Sequence, residues 1–237
     1  MKAPRFLDNF DAILLDMGRT FMFEVDRFDD PDSFAKVYNE IGGRALGPER
    51  LAAIITGLHE RAVATYRDPA FIERYPSLRD HLLAMPEIAG LAEAELGRLL
   101  EVFARHEIGV IPEDYIATLR RLRQSHRLGL VSNIWSPSDL FLSLFHRLQI
   151  RELFTVIVFS SDLGALKPST RLFETALAAF PCPRARVLMV GDRLSRDVAG
   201  AKAVGIAAVW ISPDGVVPAG APAPDLIIRD LRELPER

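Results

Sequence analysis

Five residues that lie far apart in the chain have side chains suited to binding an anion or a divalent cation. They are Asp16, Ser132, Lys167, Asp192 and Asp197. Carboxylate oxygens are preferred ligands of Mg²⁺, and a lysine ammonium suits a phosphate or a cluster of carboxylates. Three carboxylates gathered in one place repel each other unless a cation or bound protons compensate them. One site that contained all five residues would therefore favour a divalent cation beside the lysine.

The segments that precede these residues predict where they lie in the fold. Asp16 directly follows the apolar run Ala12–Leu15, and Ser132 directly follows residues 128–131. Asp192 comes after a third such run and one glycine. Continuous apolar runs suit strands covered on both faces, and ligands of open α/β sheets bind at the carboxyl ends of such strands. Each residue alone fits a plainer role in a turn or helix cap, but together they predict one shared site.

Strand-like and helix-like segments alternate over most of the chain. Strands are predicted at residues 12–15, 128–131, 155–159, 187–190, 207–210 and 226–228. Helical patterns separate them, which predicts βαβ units, a parallel sheet and an α/β fold. Between Pro31 and about Arg105 the apolar residues recur only at helical spacing. We therefore predict a core of residues 1–21 and 106–237, with an all-helical cap of residues 22–105.

Composition narrows the classes of protein and of partner. The 237 residues are 49% hydrophobic and 26% charged, which supports a packed core in one large or two modest domains. A net charge of −3, with both signs mixed, argues against binding to nucleic acid or a membrane surface. The single cysteine, Cys182, and the lack of a secretory signal pattern predict a cytoplasmic location. No apolar run approaches the roughly 20 residues of a membrane helix, and no pattern indicates an oligomeric state.

Four short motifs, taken in order, resemble those of the haloacid dehalogenase-like (HAD) hydrolase superfamily. They are Asp16-Met17-Gly18-Arg19-Thr20, Ser132-Asn133, Lys167-Pro168, and the segment from Gly191-Asp192 to Asp197. The resemblance covers the whole chain, including a helical cap inserted after the first motif. It implies a Rossmann-like parallel sheet with the first strand in the middle and the four motifs at one edge.

The resemblance also implies a role for each motif residue. Asp16 would be the nucleophile that forms an aspartyl-phosphate, and Lys167 would neutralise charge on Asp16 and on the substrate. The implied substrate-binding residues are Arg19, Thr20, Ser132, Asn133 and Lys167. The implied Mg²⁺ ligands are Asp16, the Gly18 backbone carbonyl, Asp192 and Asp197. These roles predict a Mg²⁺-dependent phosphatase that acts on a small phosphorylated metabolite.

One residue departs from the superfamily pattern. The phosphatases have a second aspartate two residues after the nucleophile as general acid and base, whereas this chain has Gly18. Glycine keeps the backbone carbonyl but cannot transfer a proton, and general acid–base catalysis contributes about 10²–10⁴-fold in rate. Arg19 stays protonated and cannot act as the base. The sequence therefore predicts a slow phosphatase and leaves open a protein that binds a phosphate or a partner without turnover.

A 2-haloacid dehalogenase is a further alternative, because such enzymes also lack the second aspartate. Their attack on carbon needs no acid for the leaving group. Their fourth motif resembles Ser-x-Asn-x-x-Asp, however, and Gly191-Asp192 does not match its first residues. Such enzymes also need no metal. A phosphonate-cleaving enzyme of the superfamily would need a cap lysine, and Lys36, the only one in the predicted cap, has no motif around it.

Overall fold

The fold is organised around a six-stranded sheet. The computed structural model describes residues 5–237, and all neighbouring strands of the sheet run parallel. The strands are β1 Ala12–Leu15, β2 Arg127–Ser132, β3 Phe154–Phe159, β4 Val187–Gly191, β5 Ala207–Ile211 and β6 Leu226–Ile228. Across the sheet the order is β3-β2-β1-β4-β5-β6. The predicted parallel α/β sheet, with its first strand in the middle, is confirmed.

Nine α-helices lie within residues 5–237. They are α1 Pro31–Glu40, α2 Pro48–Arg67, α3 Leu78–Leu83, α4 Glu93–Glu107, α5 Glu113–Arg123, α6 Asp139–Arg147, α7 Ser160–Leu163, α8 Thr170–Leu177 and α9 Ala199–Ala203. Helices α5 and α6 pack on one face of the sheet through residues such as Leu119 and Phe145. Helices α8 and α9 pack on the other face through residues such as Phe173 and Ala201. Because helices pack on both faces of the sheet, the strands are continuous apolar runs in the sequence.

The register of the central strands brings their carboxyl ends to one edge. Leu15 of β1 pairs with Leu130 of β2 on one side and with Val190 of β4 on the other. The residues that follow these positions therefore emerge side by side. Asp16 and Asp192 lie at this edge, where the strand order turns from β2 to β4 around β1 and where ligands bind in open α/β sheets.

Helices α1 to α4 build a hydrophobic cluster of their own. Its buried members include Phe34, Ile54, Leu82 and Phe103. They share no residue with the clusters on either face of the sheet, because each of these helices buries its apolar stripe mainly against the others. Within residues 22–105 the structure contains no strand of the central sheet. Helix α4 continues two residues past the predicted end of the cap, and the domain boundaries stay a prediction.

Two linkers, residues 22–30 and 108–112, join the helical segment to the rest of the chain. Phe23 and Val110 exchange two backbone hydrogen bonds of 2.8 Å, so the linkers run beside each other. A Cβ on Gly109 would lie 2.0 Å from the Phe23 carbonyl oxygen, and this close approach requires glycine. We call these two segments the paired linkers. No helix among the described residues is both long and apolar enough to cross a membrane.

Candidate active site

Asp16 occupies the centre of the sheet edge and is almost fully buried. Its backbone N–H donates to the Val190 carbonyl at 2.9 Å, which continues the β1–β4 pairing and fixes its position. Oδ1 accepts hydrogen bonds from Lys167 Nζ at 2.6 Å and from Ser132 Oγ at 3.1 Å. Oδ2 has only the Thr20 hydroxyl, at 3.5 Å. The two oxygens are therefore unequal, and Oδ2 is the less strongly bound.

Lys167 is the cation of this cluster. Its side chain is buried, and Nζ donates to Asp16, to Asp197 Oδ1 at 2.6 Å and to the Val131 carbonyl at 2.8 Å. Its backbone N–H donates to Asn133 Oδ1 at 2.9 Å, which ties the loop after β2 to the lysine. Burial disfavours the ammonium charge, but the two carboxylates outweigh burial and raise the pKa of Lys167 above its usual value. The lysine is therefore held fully charged.

Asp16, Asp192 and Asp197 each direct a carboxylate oxygen into one small volume. These three oxygens lie within 4.8 Å of one another. Burial and the charge of the other aspartates raise the pKa of Asp192. Burial also raises the pKa of Asp197, against the attraction of Lys167. Three carboxylates beside one lysine leave an excess of negative charge, and their hard oxygen donors fit a divalent cation such as Mg²⁺.

The close approach of Asp197 explains why a glycine, Gly191, precedes Asp192. A Cβ at this position would lie 2.4 Å from the Asp197 carboxylate, so a larger residue would displace that side chain. Asp197 Oδ2 also accepts the backbone N–H of Arg193 at 2.9 Å. The carboxylate thus folds back against its own loop, and the chain turns there through a π-helical segment, Leu194–Val198, before α9. The helical pattern predicted between the fourth and fifth strands thus begins with a π-helical turn and continues as α9.

A cavity of about 110 Å³ opens above these groups. Its walls include residues of all four motifs together with others from the linker, from α2 and from the loop after β4. The lining residues are Asp16, Gly18, Arg19, Val25, Asp26, Tyr66, Ser132, Asn133, Lys167, Asp192, Arg193, Arg196 and Asp197. The structure thus brings all the predicted site residues except Thr20 to one cavity. Thr20 is buried and faces Asp16, and its predicted role in substrate binding stays a prediction.

A second cavity of about 540 Å³ adjoins the first. The two share five lining residues: Asp26, Tyr66, Asn133, Arg193 and Arg196. The larger one is also lined by Arg67 and by the aromatic side chains of His59 and Trp135, whose rings lie 5.4 Å apart. Trp135 packs against the α1–α4 cluster as well, so it both lines the cavity and belongs to the core of the helical segment.

Sequence reasoning missed several residues of these walls, chiefly Asp26, Tyr66 and Arg196. Arg196 donates to the Lys167 carbonyl at 2.6 Å and to the Tyr66 carbonyl at 2.8 Å, and its guanidinium lies 4.6 Å from the Tyr66 ring centre. Arg196 could have been suspected because it lies inside the fourth motif. Asp26 and Tyr66 carry no such signal, since only the folding of the helical segment over the sheet brings them here.

The fold, the buried Asp16–Lys167 pair and the acidic cluster agree with a match to a protein family. The family model for haloacid dehalogenase-like hydrolases matches residues 93–211, about half of the chain. The chain belongs to this family of hydrolases, and the resemblance found in its motifs is confirmed.

Individual relatives include both phosphatases and dehalogenases. The phosphoserine phosphatase of Thermus thermophilus is 33% identical over 151 residues, which cover 62% of this chain and 59% of that protein. Among solved structures, a HAD phosphatase from Thermococcus onnurineus is 26% identical with a TM-score of 0.62, covering 96% of this chain and 97% of that one. A 2-haloacid dehalogenase from Pseudomonas syringae is also 26% identical, with a TM-score of 0.68 and the same coverage. The chain spans less than two thirds of the length of the curated relatives that it matches.

Proposed function

We propose that this protein is a Mg²⁺-dependent phosphatase that hydrolyses a small phosphate ester through an aspartyl-phosphate on Asp16. The observation that carries the proposal is the acidic cluster of Asp16, Asp192 and Asp197 around Lys167 at the sheet edge. A nucleophilic carboxylate beside a buried ammonium and a cation site suits attack on a dianionic phosphate. When bound, Mg²⁺ would supply positive charge that offsets the charge of the phosphoryl oxygens.

The hydrogen bonds of Asp16 favour one of its oxygens as the nucleophile. Oδ1 is held by Lys167 and Ser132, whereas Oδ2 has a single long contact with Thr20. A strongly hydrogen-bonded oxygen is a weaker nucleophile, so Oδ2 attacks phosphorus and Oδ1 stays anchored. The anchoring donors hold the carboxylate in place during the attack, which lowers the entropic cost of the reaction.

The phosphoryl group would be bound by donors that are already fixed. The Ser132 hydroxyl, the Lys167 ammonium and the loop at Asn133 border the smaller cavity. Because Lys167 and Ser132 are nearly inaccessible to solvent, their interactions with a bound phosphate are screened little by water. The larger cavity would hold the rest of the substrate, with the helical segment acting as a cap. The small phosphorylated metabolite and the cytoplasmic location stay predictions.

A 2-haloacid dehalogenase is the second candidate, and two observations favour it. Gly18 provides no acid for an alkoxide, and one structural relative is a dehalogenase. Asp192 counts against it, since the dehalogenase motif Ser-x-Asn-x-x-Asp has one aspartate where this chain has two, and a metal-free attack on carbon has no use for the additional carboxylate beside the nucleophile. A protein that binds a phosphate without turnover is the remaining alternative.

A panel of substrates separates these functions. The phosphatase proposal expects release of inorganic phosphate from aryl and alkyl phosphates with Mg²⁺, and little release with a chelator. Turnover of 2-chloropropionate without metal, and none of any phosphate ester, would support the dehalogenase instead. Binding of inorganic phosphate without turnover of either class would support the non-catalytic protein. Asp29→Asn, which changes an exposed carboxylate that lines neither cavity, is the control variant.

A further inference from the structure

The proposed function leaves two proton transfers without a residue to perform them. The ester oxygen needs a proton when its bond to phosphorus breaks, and the water that later attacks phosphorus must lose one. Gly18 has no side chain for either task, and a Cβ built on it meets nothing within 4 Å. The space that an acid would fill is therefore open to groups from other walls of the cavity.

Four carboxylates line the smaller cavity, and one of them stands apart. Asp16, Asp192 and Asp197 belong to the acidic cluster and are assigned as nucleophile and cation ligands. The fourth, Asp26, lies outside that cluster. Among residues 5–237 no group donates a hydrogen bond to its carboxylate, which leaves both oxygens available to a substrate. Asp26 is thus the one carboxylate of this cavity that has neither a hydrogen-bond donor nor an assigned role.

Asp26 also lies at the junction of the two cavities. It lines both the smaller cavity beside Asp16 and the larger one beyond it. A volume of about 110 Å³ equals that of roughly four water molecules, which suits a phosphate but not a whole ester. A substrate with its phosphate in the smaller cavity and its remainder in the larger one would carry the bond between phosphorus and the leaving oxygen near the junction of the cavities. Of the five residues that the cavities share, Asp26 alone has a carboxylate.

The backbone holds Asp26 at this junction. Its N–H donates to the Glu107 carbonyl at 3.3 Å, and the next N–H, of Arg27, donates to His106 at 2.9 Å. Both bonds tie the first of the paired linkers to the end of α4. Asp26 has a φ of 59°, a left-handed conformation that aspartate tolerates better than most residues. The direction of its side chain is therefore set by the linker and not by a partner.

The surroundings of Asp26 suit a group that both gives and takes a proton. Asp26 is exposed as a residue, but the protein packed around its carboxylate partly desolvates the charge and raises the pKa to about 6, while Arg19 and Arg193 oppose the rise. The charge of Asp26 in turn helps to raise the pKa of Glu107, at the end of α4. A pKa close to neutral pH keeps both protonation states accessible, which favours general acid–base catalysis.

We propose that Asp26 is the general acid and base of this enzyme, in place of the carboxylate that Gly18 lacks. The inference rests on the proposed phosphatase function. Asp26 takes part directly, or through one water molecule, at the leaving oxygen. It is a catalytic residue drawn from the linker to the helical segment, whereas the nucleophile comes from the sheet.

The proposed steps balance in atoms and charge. Asp16 Oδ2 forms a bond to phosphorus, the bond from phosphorus to the ester oxygen breaks, and that oxygen takes the proton of the Asp26 carboxylic acid. The alcohol leaves. A water molecule then gives a proton to the Asp26 carboxylate as its oxygen bonds to phosphorus. The bond from phosphorus to Asp16 breaks, Asp16 regains its carboxylate, and phosphate leaves.

Two substrates with the same ring but different leaving oxygens test the proposal. The 4-nitrophenolate of 4-nitrophenyl phosphate leaves without a proton, whereas the alkoxide of 4-nitrobenzyl phosphate needs one. We expect Asp26→Asn to lower turnover of 4-nitrobenzyl phosphate by about 10²–10⁴-fold. With 4-nitrophenyl phosphate the variant should release one 4-nitrophenolate per active site at nearly the wild-type rate. Steady turnover should then be slow, because the attacking water has lost its base.

The controls separate a chemical role from a structural one. Asp29→Asn should leave the turnover of both substrates unchanged. Thermal melts should show that Asp26→Asn and Asp26→Ala are folded like the wild type. Adding Gly18→Asp to Asp26→Asn should restore turnover of 4-nitrobenzyl phosphate by at least tenfold, because it returns a carboxylate to the open space at position 18.

Several results would overturn the assignment. Equal activity of Asp26→Asn and wild type on both substrates would do so, as would an equal loss of the 4-nitrophenolate burst and of 4-nitrobenzyl turnover. Wild-type turnover of the aryl ester alone would mean that no acid operates. If the wild type released phosphate from neither ester, the proposed function would fail, and the role of Asp26 would fail with it. In the other cases the phosphatase function would stand.

Discussion

The two sides of the smaller cavity are built in opposite ways. On the sheet side, Asp16, Lys167 and Asp197 are buried and joined by ion pairs of 2.6 Å. Two other lining residues, Arg19 and Asp26, are exposed, and no side-chain hydrogen bond is found for either within residues 5–237. We call these the fixed wall and the open wall. The difference suggests that the fixed wall determines which bond is broken, while the open wall determines which leaving group is accepted.

Removing the nucleophile from the fixed wall should have the largest effect. Asp16→Asn is expected to lower phosphate release by at least about 10³-fold, because an amide cannot form the covalent intermediate. Steady-state assays with 4-nitrophenyl phosphate measure this loss, with Asp29→Asn as control. Turnover of Asp16→Asn above a hundredth of the wild-type rate would mean that another residue attacks phosphorus.

Removing the cation of the fixed wall should cost stability as well as activity. Lys167→Met leaves Asp16 and Asp197 buried without their partner, and breaking a buried ion pair in this way costs about 3–5 kcal/mol. Urea denaturation of metal-free protein measures the change in the free energy of unfolding. The matched control, Lys36→Met on the exposed face of α1, should stay within about 0.5 kcal/mol of wild type. Similar stabilities of the two variants would contradict the description of a fixed wall.

Mg²⁺ should stabilise the fixed wall. A ligand that binds only the native state adds about 2.7 kcal/mol to the free energy of unfolding at one hundred times its dissociation constant. Thermal melts with and without millimolar Mg²⁺ should therefore differ for the wild type and for Asp29→Asn. The difference should disappear in Asp192→Asn, which loses one of the three carboxylates. Identical wild-type melts would argue against a cation site.

Glu107 borders the larger cavity but is buried and hydrogen-bonded like the residues of the fixed wall. It is buried at the end of α4 and accepts the backbone N–H groups of Trp135 and Ser136 at 2.6 and 2.8 Å. Burial raises the pKa of Glu107 from its usual value of about 4.5 to about 7. Its folded-state pKa therefore exceeds the unfolded one, so its contribution to stability falls as pH rises between these two values and is constant above them.

Comparison with a variant isolates this contribution from that of the aspartates. Glu107→Gln cannot ionise, so the stability of wild type relative to this variant should fall by about 2 kcal/mol between pH 5.5 and pH 8. Urea denaturation at several pH values measures the difference. A constant difference would mean that Glu107 is ionised in the folded protein throughout this range.

A change in the larger cavity, which the open wall borders through Asp26, should have the smallest effect on stability. Arg67 is exposed at the end of α2 and borders the larger cavity. We expect Arg67→Ala to raise KM for an anionic substrate severalfold, by about 1 kcal/mol, while the melting temperature and the 4-nitrophenolate burst rate stay unchanged. A loss of stability as large as that of Lys167→Met would remove the distinction between the walls.

The fixed wall and Arg19 of the open wall could be predicted from the sequence, whereas Asp26 could not. Asp16 and Ser132 directly follow continuous apolar strands, and parallel strands must end at a common edge. Asp26 and Tyr66 reach the cavity only because the paired linkers and α2 fold back over that edge, and no local pattern encodes this. The π-helical turn after β4 carries no local signal either, and there the Asp197 carboxylate accepts the backbone N–H of Arg193.

Because Phe23 pairs with Val110, the helical segment can be replaced during evolution at little cost to the sheet. The helical segment leaves and re-enters the core at neighbouring points, so its two ends are already held together. An insert attached at those ends adds little loop-closure entropy to the sheet, whatever its length. The segment between the linkers therefore behaves as an exchangeable cassette. Replacing it while keeping both linkers, and with them Asp26, would give the same reaction a new range of substrates.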